Sequence, residues 1–229
     1  MTVHLPMAPR SIWDLEPGST KVYQIETTNR CDATHICSYC PHEEHARTRG
    51  LMDDKTLARA LEVMSNRVVS LHHFGEPLLH PNVVEIVRGC TDRGFDVGFS
   101  SNCRLLTQEK LDDLAHAGLK WLRMHTDPFG VRLSQFIVPD QLEMTEHRIE
   151  ADNDAPAKEK VSFSGYVKDM PAKKQRRCSY LEDDWVVVLW DGRLALCCHD
   201  IEGTQSTKLC TDCEGYVFQT PRDWGEYDG

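Results

Sequence analysis

"TNRCDATHICSYCPH", residues 28–42, brings Cys31, Cys37 and Cys40 into one short run with the spacing C-x5-C-x2-C. It follows "KVYQIETT" (21–28), which reads as a β-strand. A cysteine loop at the exit of a first strand fits an α/β barrel, where chemistry collects at the C-terminal ends of the strands. Three thiolates restrict the ligand. A structural zinc site wants a fourth protein ligand, which His35, His42 or His45 could supply. An iron–sulfur cluster takes thiolates at such spacings, usually four, so three would leave one iron open to a non-protein ligand. Spacing alone leaves both readings open.

Outward from the loop, strands alternate with helices. Residues 53–67, "DDKTLARALEVMSNR", place Leu57, Leu61 and Met64 on one helical face, with Asp53 or Asp54 as cap. "VVSLHHF" (68–74) is the next strand, and "PNVVEIVRGCTDRG" (81–94) a helix opened by proline and closed by glycine. "FDVGFSS" (95–101) is a strand, "TQEKLDDLAHAG" (107–118) a helix capped by Thr107 and stopped by Gly118, and "LKWLRMH" (119–125) a strand. Repeated strand–helix units imply parallel strands with right-handed crossovers. The expected fold is α/β: a partial (β/α) barrel of five to six parallel strands, with a small C-terminal β-hairpin domain. Periodicity alone also admits a doubly wound sheet. One or two further strands are expected after Asp127, around a polar, loop-like centre at 151–160. The length leaves no room for eight units. The boundaries expected are an N-terminal extension 1–20, the barrel 21–170 and a C-terminal domain 171–229.

Bulk properties narrow the function. The 229 residues carry a net charge of −10, with 40% hydrophobic and 27% charged residues. Nucleic-acid binding needs a basic footprint, and the Lys/Arg cluster "KKQRR" (173–177) reads as a solvated loop. No apolar run reaches the ~18 residues of a membrane span, and the start resembles no signal peptide, so a cytoplasmic location is expected. In a reducing compartment, ten cysteines point to metal or catalysis rather than disulfides.

A second cysteine set lies in the C-terminal part. "WVVVLWDGRLALCC" is two apolar runs joined by Asp191-Gly192, a hairpin signal of the type I′ class, in which both central residues take positive φ. Around it lie Cys178, Cys197, Cys210 and Cys213, spaced C-x13-G-x4-C and then C-x2-C. Alone, this set suits a four-thiolate zinc knuckle. Cys198 competes with Cys197, and the G-x4-C count favours Cys197.

Three further segments stand in order behind the first cysteine loop: "RTRGLMDDKTL", then "FGEPLLHP" after the second strand and "FSSNCRLLT" after the third. Over residues 21–127 this order resembles the radical SAM superfamily. The resemblance implies that Cys31, Cys37 and Cys40 hold a 4Fe-4S cluster whose open iron is chelated by S-adenosylmethionine. Three thiolates are then the right number. It implies that Tyr39 packs near the adenine, that Gly75, Glu76 and Pro77 meet the methionyl amino group, and that Ser100, Ser101 and Asn102 contact ribose or carboxylate. The chain departs from the pattern in three places. The first cysteine gap is five residues instead of three, Phe74 replaces the first glycine of "GGEP", and His125 stands where relatives carry serine. His125 is read either as a contact to cofactor or substrate, or as a satisfied polar residue at a strand end.

The tail resembles the twitch domain, a shortened SPASM domain, which implies an auxiliary 4Fe-4S cluster on Cys178, Cys197, Cys210 and Cys213. The cofactors implied are therefore two 4Fe-4S clusters and S-adenosylmethionine, with an external one-electron reductant of flavodoxin or ferredoxin type. The implied chemistry is reductive cleavage of S-adenosylmethionine, hydrogen-atom abstraction by a 5′-deoxyadenosyl radical, and oxidation of the substrate radical through the auxiliary cluster. The compact length resembles the aminocyclitol dehydrogenase type of butirosin biosynthesis, with a small carbohydrate-like or natural-product substrate. Ribosomal-peptide modification by crosslinking, oxidation or epimerisation is the alternative. An epimerase needs a hydrogen-atom donor, for which Cys103 or Cys198 is available. Cys90 reads as core. Glu26, Arg123 and His125 lie on strands and are candidates for the barrel interior. A non-enzymatic module with two zinc sites is the remaining alternative. Neither a nucleic-acid nor a membrane partner is expected.

Overall fold

The computed structural model describes residues 11–34, 36–37, 40–44, 46–125, 130–147, 185–197 and 200–203. His35, Tyr39, His45, Cys178, Cys198, Cys210, Cys213 and the polar stretch 151–160 lie outside the described residues.

The strands are β1 (Lys21–Ile25), β2 (Val68–Ser70), β3 (Asp96–Ser101), β4 (Trp121–His125), β5 (Glu143–His147), β6 (Trp185–Val188) and β7 (Leu194–Ala195). The helices are α1 (Asp54–Val63), α2 (Val83–Thr91) and α3 (Gln108–His116). All seven strands form one open sheet in the order β5-β4-β3-β2-β1-β6-β7. Its pairings from β5 through β1 to β6 are parallel, and β7 is antiparallel to β6. This is the expected α/β partial barrel, with six parallel strands.

Local chemistry sets the ends of the elements. Asp53 caps α1 by accepting the Thr56 N–H, and Thr107 caps α3 by accepting that of Lys110. Helix α1 stops at Val63, short of the expected 67, because Met64 leaves the helix to bridge Thr20 and the Ser65 N–H bonds the Thr20 carbonyl at 2.8 Å. Strand β1 stops at Ile25 because the next residues take a different partner. The Met52 N–H bonds the Thr27 carbonyl at 2.8 Å, and Thr28 bridges Leu51.

The sheet has two unlike faces. Val22, Ile25, Val69, Val97, Phe99, Leu122, Met124 and Val188 pack with the helices in the main core. A second small core of Val187, Leu189, Ala195 and Cys197 takes in Tyr23 and Trp185. A bulge between Val22 and Gln24 in the β1–β6 pairing marks where β1 changes its alternation.

The hairpin is present, but its turn is not type I′. Leu189 N–H bonds the Arg193 carbonyl at 2.8 Å and Gly192 N–H bonds the Leu189 carbonyl at 2.9 Å. Only Gly192 takes positive φ there, at 83°, while Asp191 does not. A three-residue loop with glycine in the left-handed position satisfies both bonds without forcing Asp191 into strain. The hairpin expected within 171–229 extends the barrel's own sheet, as β6 pairs with β1 over four register positions. The segment before β1 also packs there: Ile12 is fully buried and its N–H bonds the Gly192 carbonyl at 2.9 Å.

Candidate functional site

The cysteine loop leaves β1 through Thr28 and Asn29, both buried. Thr28 Oγ1 donates to the Gly50 carbonyl at 2.7 Å. Asn29 Oδ1 accepts the Gly50 N–H at 2.8 Å, and Asn29 Nδ2 donates to the Thr48 carbonyl at 2.9 Å. The "RTRG" segment is thereby stitched to the base of the loop. His42 Nε2 donates to the Asn29 carbonyl at 2.8 Å, so its ring braces the loop. Burial holds the His42 pKa below its ordinary value.

Within the loop, the Cys37 N–H bonds the Ala33 carbonyl at 3.0 Å and the Cys40 N–H bonds the Cys37 carbonyl at 3.1 Å. Backbone N–H groups point at sulfur: Ala33 N donates to Cys31 Sγ at 3.4 Å, and the His42 N–H to the Cys40 sulfur. Burial pushes the thiol pKa up to about 12 for Cys31 and about 11 for Cys40, despite those donors. Cys31 and Cys40 lie close enough for each thiolate to disfavour the other, as do Cys40 and Cys37. Such thiols stay protonated until a cation compensates the charge.

Among the described residues, no three His, Cys, Asp or Glu side chains converge tightly enough to surround one metal ion. In a four-iron cluster each cysteine binds a different iron, so the thiolates need not converge on one centre. The donor set fits such a cluster: three cysteines on one loop, with N–H groups aimed at two of the sulfurs.

The loop after β2 meets this one at Gly75. A Cβ at Gly75 would lie 1.9 Å from the Thr28 carbonyl oxygen, so only glycine permits the two backbones to approach this closely. Glu76 N–H then bonds the Arg30 carbonyl at 2.8 Å. The Glu76 carboxylate is buried and accepts from Ser101 Oγ at 2.7 Å, Asn102 N at 2.8 Å and Leu78 N at 3.0 Å. Burial outweighs these three donors and lifts its pKa to about 7. Gly75, Glu76, Pro77, Ser101 and Asn102 therefore form one assembly beside the cysteine loop. Ser100 N–H turns instead to His72 Nδ1, at 3.2 Å.

Strand β4 presents Arg123 and His125 on the face opposite Leu122 and Met124. Both are close enough to His72 for their charges to act on it. His72 also contacts Ser70 Oγ at 2.7 Å and Gln24 Nε2 at 3.5 Å. Burial, followed by the charges of His125, His73 and Arg123, lowers its pKa to about 3, so it is neutral. Cys103 lies in the main core at 1% exposure, with φ 58°. Its thiol donates to the Ser101 carbonyl at 3.7 Å, and burial raises its pKa to about 12. Cys90 is core, as expected. Cys197 is buried against Tyr23 and Trp185, and the Asp200 N–H bonds its carbonyl at 3.1 Å.

Sequence reading missed four contributors: Asp32, Arg104, Arg47 and His72. Asp32 stands inside the widened cysteine gap and bonds Asn102 Nδ2 at 2.8 Å. Arg104 pairs with Asp32 at 3.2 Å. Arg47 is buried and binds Glu26 through both oxygens, at 2.6 and 2.7 Å, and its Nε donates to the Ile201 carbonyl at 2.5 Å. The signals were the extra loop length, an arginine two residues after Asn102, and an acidic residue directly after Ile25 in the strand run 21–28.

Comparison with known proteins bears on the same segments. Residues 25–130 match the Radical SAM superfamily. The tungsten-containing aldehyde ferredoxin oxidoreductase cofactor-modifying protein of Pyrococcus furiosus is 31% identical over 103 residues, 43% of this chain and 28% of that protein. The PqqA peptide cyclase of Bradyrhizobium diazoefficiens is 33% identical over 98 residues, 42% of this chain and 25% of that protein. The matches thus span about a quarter of each curated relative's length. The crystal structure of BtrN in complex with AdoMet and 2-DOIA superposes with a TM-score of 0.55 at 20% identity, over 79% of this chain and 74% of that one, a likeness of fold. No helix among the described residues is long and apolar enough to cross a membrane. The family implies a 4Fe-4S cluster and S-adenosylmethionine, and the cysteine loop, the glycine-permitted contact at Gly75 and the buried Glu76 assembly all lie within the matched segment: residues 25–130 are a radical SAM domain.

Proposed function

We propose that the chain is a radical SAM oxidoreductase acting on a small carbohydrate-like or natural-product substrate. The observation that carries the cofactor reading is Glu76, a buried carboxylate fixed by three donors beside the cysteine loop. In this reading Cys31, Cys37 and Cys40 hold a 4Fe-4S cluster, and Glu76 receives the amino group of S-adenosylmethionine. A buried carboxylate with a pKa near neutrality is ready to ionise beside an ammonium group. Gly75 and Pro77 shape the same edge. Tyr39 is assigned to the adenine, Ser100, Ser101 and Asn102 to ribose and carboxylate, and His125 to cofactor or substrate.

Cys31, Cys37 and Cys40 would hold the cluster and Glu76 the amino group of S-adenosylmethionine, and the pair would supply one-electron cleavage chemistry for hydrogen-atom abstraction from the substrate. The chain positions the reactants and excludes water. The polar face with Gln24, His72, Arg123 and His125 supplies donors for a hydroxylated substrate. Oxidation is assigned to an auxiliary 4Fe-4S cluster on Cys178, Cys197, Cys210 and Cys213, with Cys198 adjacent and an external flavodoxin or ferredoxin as electron source. The fold likeness to BtrN supports the oxidative reading. The sequence likeness to a peptide cyclase favours a second reading, modification of a peptide. Cys198 is its candidate hydrogen-atom donor, since Cys103 is packed in the main core.

The test is iron, sulfide and zinc per chain after anaerobic reconstitution. Two four-iron clusters support the oxidative reading. A single four-iron cluster with one zinc removes the electron acceptor and favours redox-neutral chemistry. Zinc without iron overturns the assignment.

A further inference from the structure

The widened Cys31–Cys37 gap is where this chain departs most from the family spacing, and the first residue of that gap, Asp32, is engaged. Asp32 Oδ1 accepts from Asn102 Nδ2 at 2.8 Å. Asp32 Oδ2 pairs with Arg104 NH1 at 3.2 Å, and the same nitrogen donates to the Asp32 backbone carbonyl at 2.5 Å. Asn102 is itself held rigid. Its N–H donates to Glu76 Oε2 at 2.8 Å, and its Oδ1 accepts the Arg104 N–H at 2.9 Å. Ser101 Oγ accepts the Cys103 N–H at 2.9 Å, so the end of β3 is folded into two successive side-chain-to-backbone turns. Cys103 adopts φ 58° within them. A half-exposed ion pair alone stabilises little. Here it is added to a hydrogen bond from Asn102, which is 8% exposed, and to a bond to the loop backbone itself.

We propose that Asp32 is a positioning residue: Asn102 and Arg104 hold it so that the lengthened loop presents Cys31 in one fixed orientation beside Glu76. This rests on the reading of Cys31 as a cluster ligand. The extra residues would otherwise give the loop many shapes, and fixing one of them in advance removes an ordering cost from ligand binding. The clamp also links the loop to the Glu76 carboxylate through one residue, Asn102. Loss of Asp32 therefore acts on both the thiol and the cofactor edge, whereas loss of Arg104 loosens the clamp and leaves the Asp32 carboxylate in place.

The experiment compares wild type with Asp32→Ala, Asp32→Asn and Arg104→Ala. In the metal-free chain, the rate of Cys31 alkylation by iodoacetamide is followed by peptide mass spectrometry. Asp32→Ala is expected to react roughly tenfold faster, as for loss of one charge-assisted hydrogen bond. Asp32→Asn, which keeps an oxygen for Asn102, is expected to fall between, and the melting temperature to stay near wild type. In the reconstituted chain, the shift of the reduced cluster's electron paramagnetic resonance spectrum on adding S-adenosylmethionine is expected to shrink in Asp32→Ala and to recover in part in Asp32→Asn. If Asp32→Ala does not fold, Arg104→Ala carries the comparison, since it leaves the Asn102 bond in place. Equal alkylation rates in wild type and the folded variants overturn the clamp. A rate difference in a wild-type chain that takes up no iron upholds the clamp and overturns the cluster reading instead.

Discussion

Glu76 and His72 are buried titratable groups a few residues apart, and their shifts run in opposite senses. Glu76 has its pKa raised to about 7 by burial, so the stability it contributes is complete below its ordinary 4.5 and is lost as pH rises through about 7. His72 has its pKa lowered from 6.5 to about 3, so its contribution is complete above 6.5 and is lost as pH falls toward 3. Between 4.5 and 6.5 the two slopes, each about 1.4 kcal/mol per pH unit at most, oppose one another. Replacing His72 by Gln removes its slope there, while His42 and His80, whose pKa values burial also lowers, keep theirs. Urea midpoints of the metal-free His72→Gln chain should therefore respond more favourably to acidification across that window than those of wild type. Parallel profiles would refute the assignment of His72 as a buried neutral base. The same physics governs the cofactor edge. An ammonium group beside Glu76 favours the carboxylate, so affinity for S-adenosylmethionine should increase as pH rises through about 7. Glu76→Gln should weaken it by about 2 kcal/mol, roughly thirtyfold, and remove that pH dependence. Calorimetric titration on either side of neutrality reads both effects.

At the scale of elements, the loops after β1 and β2 are joined at Gly75. A methyl group there would strike the Thr28 carbonyl, a backbone atom that cannot rotate away. Gly75→Ala is expected to cost about 3 kcal/mol, the upper end for overpacking, measured as a lowered urea midpoint. An unchanged midpoint would show that the two loops can separate freely. Much of this was legible in the sequence. Helix caps at Asp53 and Thr107 follow from short polar side chains that accept N–H bonds, and the structure places both. The order of "CDATHICSYC", "FGEP" and "FSSN" brought the site together because each follows a parallel strand. The turn at Asp191-Gly192 was misread because a dipeptide signal does not count loop residues, and the Leu189–Arg193 bond sets a three-residue loop. The Asp32 clamp was illegible because its partners, Asn102 and Arg104, are about seventy positions away in sequence, and no local pattern encodes such a pairing.

Across the whole molecule, the buried Arg47–Glu26 pair ties the exit of the cysteine loop to β1 and to the segment after Cys197. Ala46 N–H adds a bond to Glu202 Oε1 at 2.7 Å. Sequence periodicity placed Glu26 on a strand but could not supply its partner, since a buried ion pair depends on tertiary approach. Removing one member leaves the other charged and unpaired. Arg47→Met alone should destabilise by about 3–5 kcal/mol, while Arg47→Met with Glu26→Leu should recover most of that loss. Thermal unfolding of the single and double variants checks this, and equal losses in both would contradict it. The central claim is that this fold holds a cluster-bound S-adenosylmethionine at the mouth of the sheet. The most direct measurement is reductive cleavage: the anaerobically reconstituted chain is incubated with dithionite and S-adenosylmethionine, and 5′-deoxyadenosine and methionine are quantified. The account predicts both products in equal amounts, and their loss in Cys31→Ala. An iron-loaded chain that yields neither product, or yields them unchanged in Cys31→Ala, would contradict it.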